Sequence, residues 1–224
     1  MQKIIVAIDG FASTGKSSLA KRLAETLNFT YIDSGAMYRA VTYFAIQKGH
    51  QGHIDQEKLL AQLDQIKIYF KYTKSGHQTF LNGSNISKEI RLSDVTEQVS
   101  KVSKILEVRS LLVIQQQKLG AKKGVIMDGR DIGTVVFPKA ECKFFLNASS
   151  EIRAKRRHLE QIEAGNNESF ASVLSNIKDR DLMDTTRKLS PLTKADDAIE
   201  IDVSEMSLEE VYQQLLEHIS KKTI

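Results

Sequence analysis

Gly10-Phe-Ala-Ser-Thr-Gly15-Lys16-Ser17 is a complete G-x-x-x-x-G-K-S sequence between an apolar run and a helical pattern. The run from Lys3 to Ile8 reads Lys-Ile-Ile-Val-Ala-Ile, which predicts a strand buried on both faces of a parallel sheet. The pattern after the loop predicts a helix from Lys16 to Asn28. Strand, glycine loop and helix together are the context in which this sequence binds a triphosphate.

Each part of the loop has a chemical role in this interpretation. The glycines let backbone N–H groups close around phosphate oxygens, beside the positive end of the helix dipole. Lys16 reaches the β- and γ-phosphates, and the hydroxyl of Ser17 is a ligand for Mg²⁺. The candidate nucleotide-binding residues are Gly10, Phe11, Ala12, Ser13, Thr14, Gly15, Lys16, Ser17 and Ser18. A glycine turn that binds nothing is the alternative, and the loop alone does not separate ATPases, GTPases and small-molecule kinases.

Further apolar runs continue the same plan. Short strands are predicted at Thr30–Ile32, Gly124–Met127, Lys143–Leu146 and Ile199–Val203. Helices are predicted at Gly35–Lys48, Ser93–Leu119, Ser149–Glu163, Ser169 to about Arg187, and Ser207–Ser220. The last helix begins with a capping box, Ser207 with Glu210 three residues later. Strands that alternate with helices predict an α/β fold.

One stretch departs from this alternation. Every second residue of Ile66–Tyr72 is apolar or aromatic, which predicts an antiparallel strand with one buried face. Ser75-Gly76 and Asn82-Gly83 predict turns around a second strand at Gln78–Leu81. The pattern leaves open whether this small meander is a substrate-side subdomain or only packing.

The composition is that of a globular protein, since 41% of the 224 residues are hydrophobic and 27% are charged. Cys142 is the single cysteine and no signal segment opens the chain, so we expect a cytoplasmic protein. No run approaches the roughly 18 apolar residues of a membrane span. The net charge of +4 predicts anionic partners. The histidines show no metal-ligand spacing: His50, His53, His77, His158 and His218.

Two polar clusters follow predicted strands. Asp33-Ser-Gly-Ala-Met-Tyr-Arg39 begins a helix that Ser34 can cap, and Ser34 with Arg39 can hold a second phosphate. The alternative is an N-cap beside a surface arginine.

Asp128-Gly-Arg-Asp-Ile-Gly133 lies at the carboxyl end of a strand, where ligands bind in open parallel sheets. Asp128 can orient magnesium or its waters. A plain loop is the alternative there.

Two sets of charged residues occur at helical spacing. Arg153, Arg156 and Arg157 share one helix face, which is either a cationic lid over a triphosphate or a solvated face. The solvated face would carry two local ion pairs, Glu151–Lys155 and Glu160–Arg156. The other set, which is either an ion-pair ladder or part of a site, is Arg180, Asp184 and Arg187.

Together these stretches resemble the bacterial-type cytidylate kinase family, a branch of the nucleoside monophosphate kinases, over nearly the whole chain. The most specific part is Asp128-Gly-Arg-Asp-Ile-Gly-Thr-Val-Val-Phe-Pro138. The other parts are Ile8-Asp-Gly with the Gly-Lys-Ser that follows, Asp33–Arg39, Ala148-Ser-Ser, and Arg180-Asp with Arg187 and Pro191-Leu. The resemblance implies a three-layer P-loop fold with a parallel core sheet, a lid, and a monophosphate-binding arm that carries a small antiparallel sheet.

The resemblance also implies one domain over residues 1–224, with a core (about 1–33, 105–148 and 188–224), an arm (about 34–104) and a lid (about 149–187). It implies transfer of the γ-phosphate of ATP to CMP and dCMP with Mg²⁺. We expect a monomer that binds neither nucleic acid nor membrane. The alternatives are another small-molecule kinase, for UMP, dTMP or shikimate, and a P-loop switch or nucleic-acid-binding NTPase. The chain lacks the guanine-reading sequence Asn-Lys-x-Asp, and its arginines occur at helical spacings rather than among stacking aromatics.

The resemblance assigns roles to residues at matching positions. The catalytic residues would be Lys16, Arg130, Arg153 and Arg157. The acceptor phosphate would bind Ser34, Arg39, Arg109 in Val108-Arg-Ser-Leu, Arg180 and Arg187. Ser100, Arg130 and Asp131 would face the base, and Asp184 the sugar. Phe11 stands where the family often has proline.

Overall fold

Strands from both halves of the chain build the sheets of the computed structural model, which describes residues 2–49, 53–73 and 76–223. The strands are β1 (Ile5–Gly10), β2 (Thr30–Asp33), β3 (Ile68–Thr73), β4 (Gly76–Leu81), β5 (Ser84–Asn85), β6 (Val125–Gly129), β7 (Cys142–Asn147) and β8 (Ile199–Asp202). The helices are α1 (Lys16–Leu27), α2 (Ser34–Lys48), α3 (Gln56–Leu60), α4 (Ser93–Val102), α5 (Leu106–Gly120), α6 (Ser150–Glu163), α7 (Phe170–Thr186) and α8 (Leu208–Ser220). The chain divides into two compact units, Met1–Ile32 with Leu119–Ile224, and Asp33–Lys118.

The first unit is built on a five-stranded sheet in the order β2-β6-β1-β7-β8. β1 pairs in parallel with β6 and β7, and β7 pairs in parallel with β8. The predicted parallel core sheet is therefore confirmed. Because the strands run in one direction, the phosphate loop after β1 and the Asp128–Gly133 segment at the end of β6 lie at the same edge.

The core of the first unit consists of apolar side chains from the sheet and from α1 and α8. Val6 and Ile8 of β1 are fully buried, as are Leu19 and Leu23 of α1. From α8, the residues in this core are Val211, Tyr212, Leu215 and Ile219. The predicted capping box begins α8: the Ser207 hydroxyl accepts from the Glu210 N–H, and the Glu210 carboxylate accepts from the Ser207 N–H.

The second unit contains the predicted meander. β3 and β4 pair antiparallel from Ile68 opposite Leu81 to Thr73 opposite Gly76, and β5 adds a short third strand. Asn82 and Gly83 have φ of 49° and 90°, the left-handed pair of a tight hairpin turn, so this turn is confirmed. The Ser75 part of the other predicted turn lies outside the described residues, as does His50.

The apolar strand face predicted on Ile66–Tyr72 is not buried along its whole length. Ile66 at its start is buried, whereas Tyr72 at its end is 65% exposed. Several short elements lack a counterpart in the sequence prediction: α3, the 3₁₀ turns Leu63–Gln65 and Glu89–Arg91, and a single π-helical turn at Ile132–Val136. No helix among the described residues has the length and apolar character that crossing a bilayer requires.

The prediction of one helix over Ser93–Leu119 was wrong, since α4 ends at Val102 and α5 begins at Leu106. Side chains satisfy the carbonyls at this break. The Ser103 hydroxyl donates to the Ser100 carbonyl (3.0 Å), and the Arg109 guanidinium donates to the Ser103 carbonyl (3.2 Å). These bonds replace helical N–H donors, so no glycine or proline is needed to end α4.

Candidate active site

The phosphate loop connects the end of β1 to the first residue of α1. Gly10 has a φ of 142°, and a Cβ at this position would lie 2.1 Å from the Leu146 carbonyl oxygen, so no other residue fits. Gly15 has a φ of 83° and immediately precedes α1. The free N–H groups of the first turn of α1 therefore face the loop, as an anion-binding site requires.

Lys16 lies buried inside this loop. Its Nζ donates to the Phe11 carbonyl and to Oγ1 of Thr14, and the Thr14 hydroxyl donates to the same carbonyl (3.0 Å). Burial, and then the positive charge of Arg130, hold the pKa of Lys16 well below its usual value. Phosphate oxygens beside this ammonium would stabilise its charged form.

Ser17 and Asp128 form the candidate magnesium site. The Ser17 hydroxyl donates to Oδ2 of Asp128 (2.7 Å), and the Tyr31 hydroxyl donates to Oδ1 (2.9 Å). Asp128 is buried at the carboxyl end of β6, whereas Ser17 is exposed. A hydroxyl and a carboxylate are the hard oxygen ligands that Mg²⁺ takes while it keeps waters and phosphate oxygens, so these residues fit the ion.

An arginine–carboxylate network surrounds Asp184 near the end of α7. Oδ2 of Asp184 accepts from Nε of Arg130 (2.8 Å), while Arg180 and Arg187 each lie 4.0 Å from its carboxylate. Nη2 of Arg187 lies 3.7 Å from Oδ1 of Asp131. Burial opposes the charge on Asp184, but Arg130 and then Arg180 outweigh it, and the pKa of this carboxyl lies below its usual value.

The sequence predicted only part of this network. The ladder of Arg180, Asp184 and Arg187 is present, although Arg187 lies just beyond the helix, in extended backbone. The structure adds Arg130 and Asp131, which are about fifty residues distant in the chain. Two of the three residues proposed from the resemblance for the base, with the one for the sugar and part of the set for the phosphate, are thus in one cluster, and Ser100 is not among them.

Arg153 of α6 contacts a carboxylate, two backbone carbonyls and an aromatic ring. It is buried, and its guanidinium bonds Asp181 through two nitrogens, at 3.1 and 2.5 Å. Nε donates to the Ala148 carbonyl (2.8 Å), and Nη1 lies 3.4 Å from the Ala12 carbonyl in the phosphate loop. The Phe11 ring lies under Cζ of Arg153 at 4.9 Å, in cation–π geometry.

The other two arginines of α6 do not share this environment, so neither a solvated face nor a uniform cationic face describes all three. Arg156 donates to the carbonyls of Val203 (2.6 Å) and Ser204 (3.3 Å), while Arg157 is exposed and lies 3.5 Å from Glu160. The ion pairs predicted for a solvated face were wrong, because Glu151 pairs with Lys178 at 3.0 Å and Glu160 with Arg157. The three arginines differ because each lies opposite different partners: Asp181 of α7 for Arg153, the Val203 carbonyl for Arg156, and only the neighbouring Glu160 among the described ion pairs of Arg157.

In the second unit, Asp33 caps α2 and the prediction that Ser34 does so was wrong. Oδ1 of Asp33 accepts from the Ala36 N–H (2.7 Å), and Oδ2 pairs with Nη2 of Arg39 (2.9 Å). Ser34 is the first residue of the helix and is buried. Gly35 makes room for this pair, since a Cβ there would lie 3.0 Å from Nη1 of Arg39.

The remaining predicted residues of the second unit are Ser100 and Arg109, which lie on either side of the break between α4 and α5. Both are buried. The Arg109 guanidinium lies over the Tyr38 ring, with Cζ 5.4 Å from its centroid, while it donates to the Ser103 carbonyl. Arg109 therefore contacts α2 through the Tyr38 ring and the break through the Ser103 carbonyl.

Three residues of the first unit were missed as site candidates: Asp9, Tyr31 and Asp181. Asp9 appears in the sequence only as part of Ile8-Asp-Gly, and its partners are the N–H groups of Ile132 and Gly133. Tyr31 and Asp181 act through Asp128 and Arg153. No spacing rule could predict these contacts, because each joins residues from distant elements.

The chain as a whole, and not the phosphate loop or the network at the end of β6 alone, can be compared with known families. A family model described as Cytidylate kinase matches residues 6–221. The chain belongs to the cytidylate kinase family. Members of this family named Cytidylate kinase are 50% identical in Flavobacterium psychrophilum, over 98% of this chain and 99% of the relative, and 51% identical in Parabacteroides distasonis, over 99% and 98%.

A more distant family member, Cytidylate kinase of Bacillus subtilis, is 45% identical over 99% of both chains. Among solved structures, an uncharacterized protein from Eubacterium ventriosum has a similar fold, with a TM-score of 0.54, 12% identity and coverage of 98% of this chain and 99% of that one. At this identity the likeness concerns the fold alone. The predicted family and fold class are both confirmed.

Proposed function

We propose that this protein transfers the γ-phosphate of ATP to CMP, and to dCMP, giving CDP or dCDP and ADP. Relatives named Cytidylate kinase match it over almost their entire length. The observation that carries the proposal is the coexistence, in one unit, of a complete phosphate loop and the network of Arg130, Asp131, Asp184 and Arg187. The first binds a donor triphosphate, and the second has the charge pattern for a nucleotide acceptor.

Lys16 is proposed to stabilise negative charge on the transferring phosphoryl group. Its ammonium lies on the loop that binds the donor, where a small rotation of the side chain redirects Nζ from the Phe11 carbonyl to a phosphate oxygen. Ser17 and Asp128 would hold Mg²⁺, which neutralises phosphate charge and orients the leaving group. The acceptor phosphate is already ionised near neutral pH, so no general base is assigned.

The acceptor base is proposed to bind Arg130 and Asp131. Cytosine presents an amine donor beside the N3 acceptor, which matches a carboxylate beside a guanidinium. Uracil presents an acceptor and a donor in the opposite order. Asp184 is proposed for the sugar, and Arg180 and Arg187 for the phosphate, with Ser34, Arg39, Ser100 and Arg109 of the second unit kept in the roles the resemblance implies.

Arg153 and Arg157 remain candidates for charge stabilisation near the donor phosphates, and a different observation supports each of them. Arg153 contacts the phosphate loop through the Ala12 carbonyl and the Phe11 ring. Arg157 is exposed, and its partner Glu160, at 3.5 Å, is exposed as well. A cytoplasmic monomer remains our expectation.

The test is ADP release by the purified protein with ATP, Mg²⁺ and one nucleoside monophosphate at a time. We expect release that depends on CMP or dCMP, with UMP and dTMP far weaker. Release that prefers UMP or dTMP would indicate another small-molecule kinase. Release without any acceptor dependence would contradict a kinase and favour an NTPase switch.

A further inference from the structure

The carboxylate of Asp9, directly before the phosphate loop, holds the segment that carries Asp131. Asp9 is buried at the end of β1, opposite Gly129 of β6. Its Oδ1 accepts from the Ile132 N–H (2.8 Å) and its Oδ2 from the Gly133 N–H (2.7 Å). Both oxygens are thus engaged by consecutive backbone donors immediately after Asp131.

These two donors are the first N–H groups of the single π-helical turn at Ile132–Val136, which would otherwise need a local cap. Asp131 occupies the N-cap position, where an aspartate commonly accepts from its own helix. Within the described part of the chain, its carboxylate makes no such capping bond and instead lies 3.7 Å from Arg187. A carboxylate 122 residues away in sequence caps the turn in its place.

We propose that Asp9 is a positioning residue for base recognition: by capping the turn after Asp131, it directs the Asp131 carboxylate toward Arg187 and the acceptor base. The proposal rests on the proposed role of Asp131 in reading cytosine. Without the Asp9 cap, the Asp131 carboxylate could turn back to bond the same N–H groups. The residue would then be withdrawn from the ligand.

The packing around Gly133 supports a fixed geometry. A Cβ on Gly133 would lie 3.2 Å from Cδ of Lys143 and 3.4 Å from Oδ2 of Asp9, so a side chain there would crowd both groups. Lys143 is itself buried, and its Nζ donates to the Pro138 carbonyl (2.6 Å) and to Asp197 (2.8 Å). The glycine therefore gives the backbone N–H close access to Asp9 beside a fixed lysine side chain.

At about pH 8.5, where Asp9 is ionised, Asp9→Asn keeps the size but can accept only one N–H, and it directs an amide donor at the other. The matched control is Glu141→Gln, because Glu141 accepts from the Ile5 N–H (2.8 Å) at the opposite end of the same strand. We expect Asp9→Asn to raise KM for CMP about tenfold and to narrow the CMP-to-UMP ratio of kcat/KM at least about threefold. KM for ATP should change by less than about twofold. Glu141→Gln should leave KM for CMP, KM for ATP and the CMP-to-UMP ratio of kcat/KM unchanged.

A merely structural role at the end of β1 would disturb ATP and CMP alike, so an equal rise of both KM values, or an unchanged CMP-to-UMP ratio in Asp9→Asn, would overturn the proposal. A raised KM for CMP with an unchanged KM for ATP in Glu141→Gln would also overturn the proposal. Should Asp9→Asn fail to fold, Gly133→Ala, whose added methyl group would lie 3.4 Å from Oδ2 of Asp9, must raise KM for CMP more than KM for ATP and narrow the CMP-to-UMP ratio. If the wild type shows no CMP-dependent ADP release, the proposed function falls and takes this inference with it.

Discussion

Lys16 combines a buried position with a charge that the proposed reaction needs. Among the described residues its Nζ bonds the Phe11 carbonyl and the Thr14 hydroxyl, which are both groups of the phosphate loop. Electrostatic groups of this kind, fixed before the reaction begins, contribute to the transition state more than to ground-state binding.

Lys16→Ala should therefore lower kcat by two to three orders of magnitude, or about 2.7 to 4 kcal/mol, with a smaller effect on ATP binding. The control is Lys21→Ala, which removes the same charge from a half-buried position on the same helix, α1. Steady-state kinetics with CMP measure kcat for both variants. A near-normal kcat in Lys16→Ala would refute the assignment of the loop.

Asp131 determines base choice in the proposed mechanism. Asp131→Asn keeps the size and lets the amide donate to O4 of uracil, so we expect lower activity with CMP and a CMP-to-UMP ratio of kcat/KM narrowed by at least about tenfold, or 1.4 kcal/mol. The ratio is measured at saturating ATP and fixed Mg²⁺. If both activities fall together and the ratio holds, Asp131 does not read the base.

At the scale of elements, the hairpin of α6 and α7 is held by a small apolar cluster and by one buried ion pair. Ala154, Val173 and Ile177 form the cluster, and Arg153 with Asp181 forms the pair. Removal of one partner from a buried pair leaves the other charge without compensation. Arg153 and Arg157 should therefore respond differently to substitution.

Arg153→Ala should lower the free energy of unfolding by about 3 to 5 kcal/mol, whereas Arg157→Ala should change it by less than about 1 kcal/mol. Urea unfolding measures this difference. If exposed Arg157 acts on the donor phosphates, Arg157→Ala also lowers kcat while stability is kept. A normal kcat in Arg157→Ala would exclude it from catalysis, and a wild-type stability in Arg153→Ala would contradict the buried pair.

Elements whose pattern is local could be predicted from the sequence. The continuous apolar run of β1 and the Asn82-Gly83 turn each carry their signal within a few residues. The break after Val102 could not, because Ser103 and Arg109 form it through side-chain bonds rather than through glycine or proline. The cap of α2 was misplaced by one residue, since both Asp33 and Ser34 are good caps.

The site residues also divide into those that the sequence predicts and those that it does not. The residues of the phosphate loop are contiguous, so their spacing was enough to identify them, and the resemblance supplied the roles of Arg130 and Asp131. Asp9 was missed as a site residue because an isolated aspartate after a strand has no pattern that indicates distant backbone donors. The unequal burial of Arg153 and Arg157 depends on how α6 packs on α7, which helical spacing alone does not determine.

At the scale of the whole molecule, Asp9 links folding to pH. Burial, opposed by its two backbone hydrogen bonds and by Lys16 and reinforced by Asp131, raises the pKa of Asp9 from 3.8 to about 7. The folded state therefore holds this proton more tightly than the unfolded chain. The stabilising contribution is complete below about pH 4 and is lost as pH rises toward 7.

The free energy of unfolding of the wild type, minus that of Asp9→Asn, should fall between pH 4.5 and 6.5 by up to about 1.4 kcal/mol per pH unit. Glu141 has a lowered pKa, so its stabilising contribution is lost as pH falls, and its difference from Glu141→Gln should rise slightly above pH 4.5 rather than fall. Urea unfolding at several pH values gives both curves, and parallel curves for wild type and Asp9→Asn would contradict the raised pKa.

The Phe11 ring, packed between Phe145 and the Arg153 guanidinium, also offers an optical property. The chain contains no tryptophan, so Phe11→Trp would place a single indole at the phosphate loop, against a background of tyrosine emission only. A neighbouring guanidinium alters the emission of an indole whose face it covers, and nucleotide binding changes the charge around both groups. Fluorescence from one substituted side chain would then follow donor binding in real time, without a labelled nucleotide.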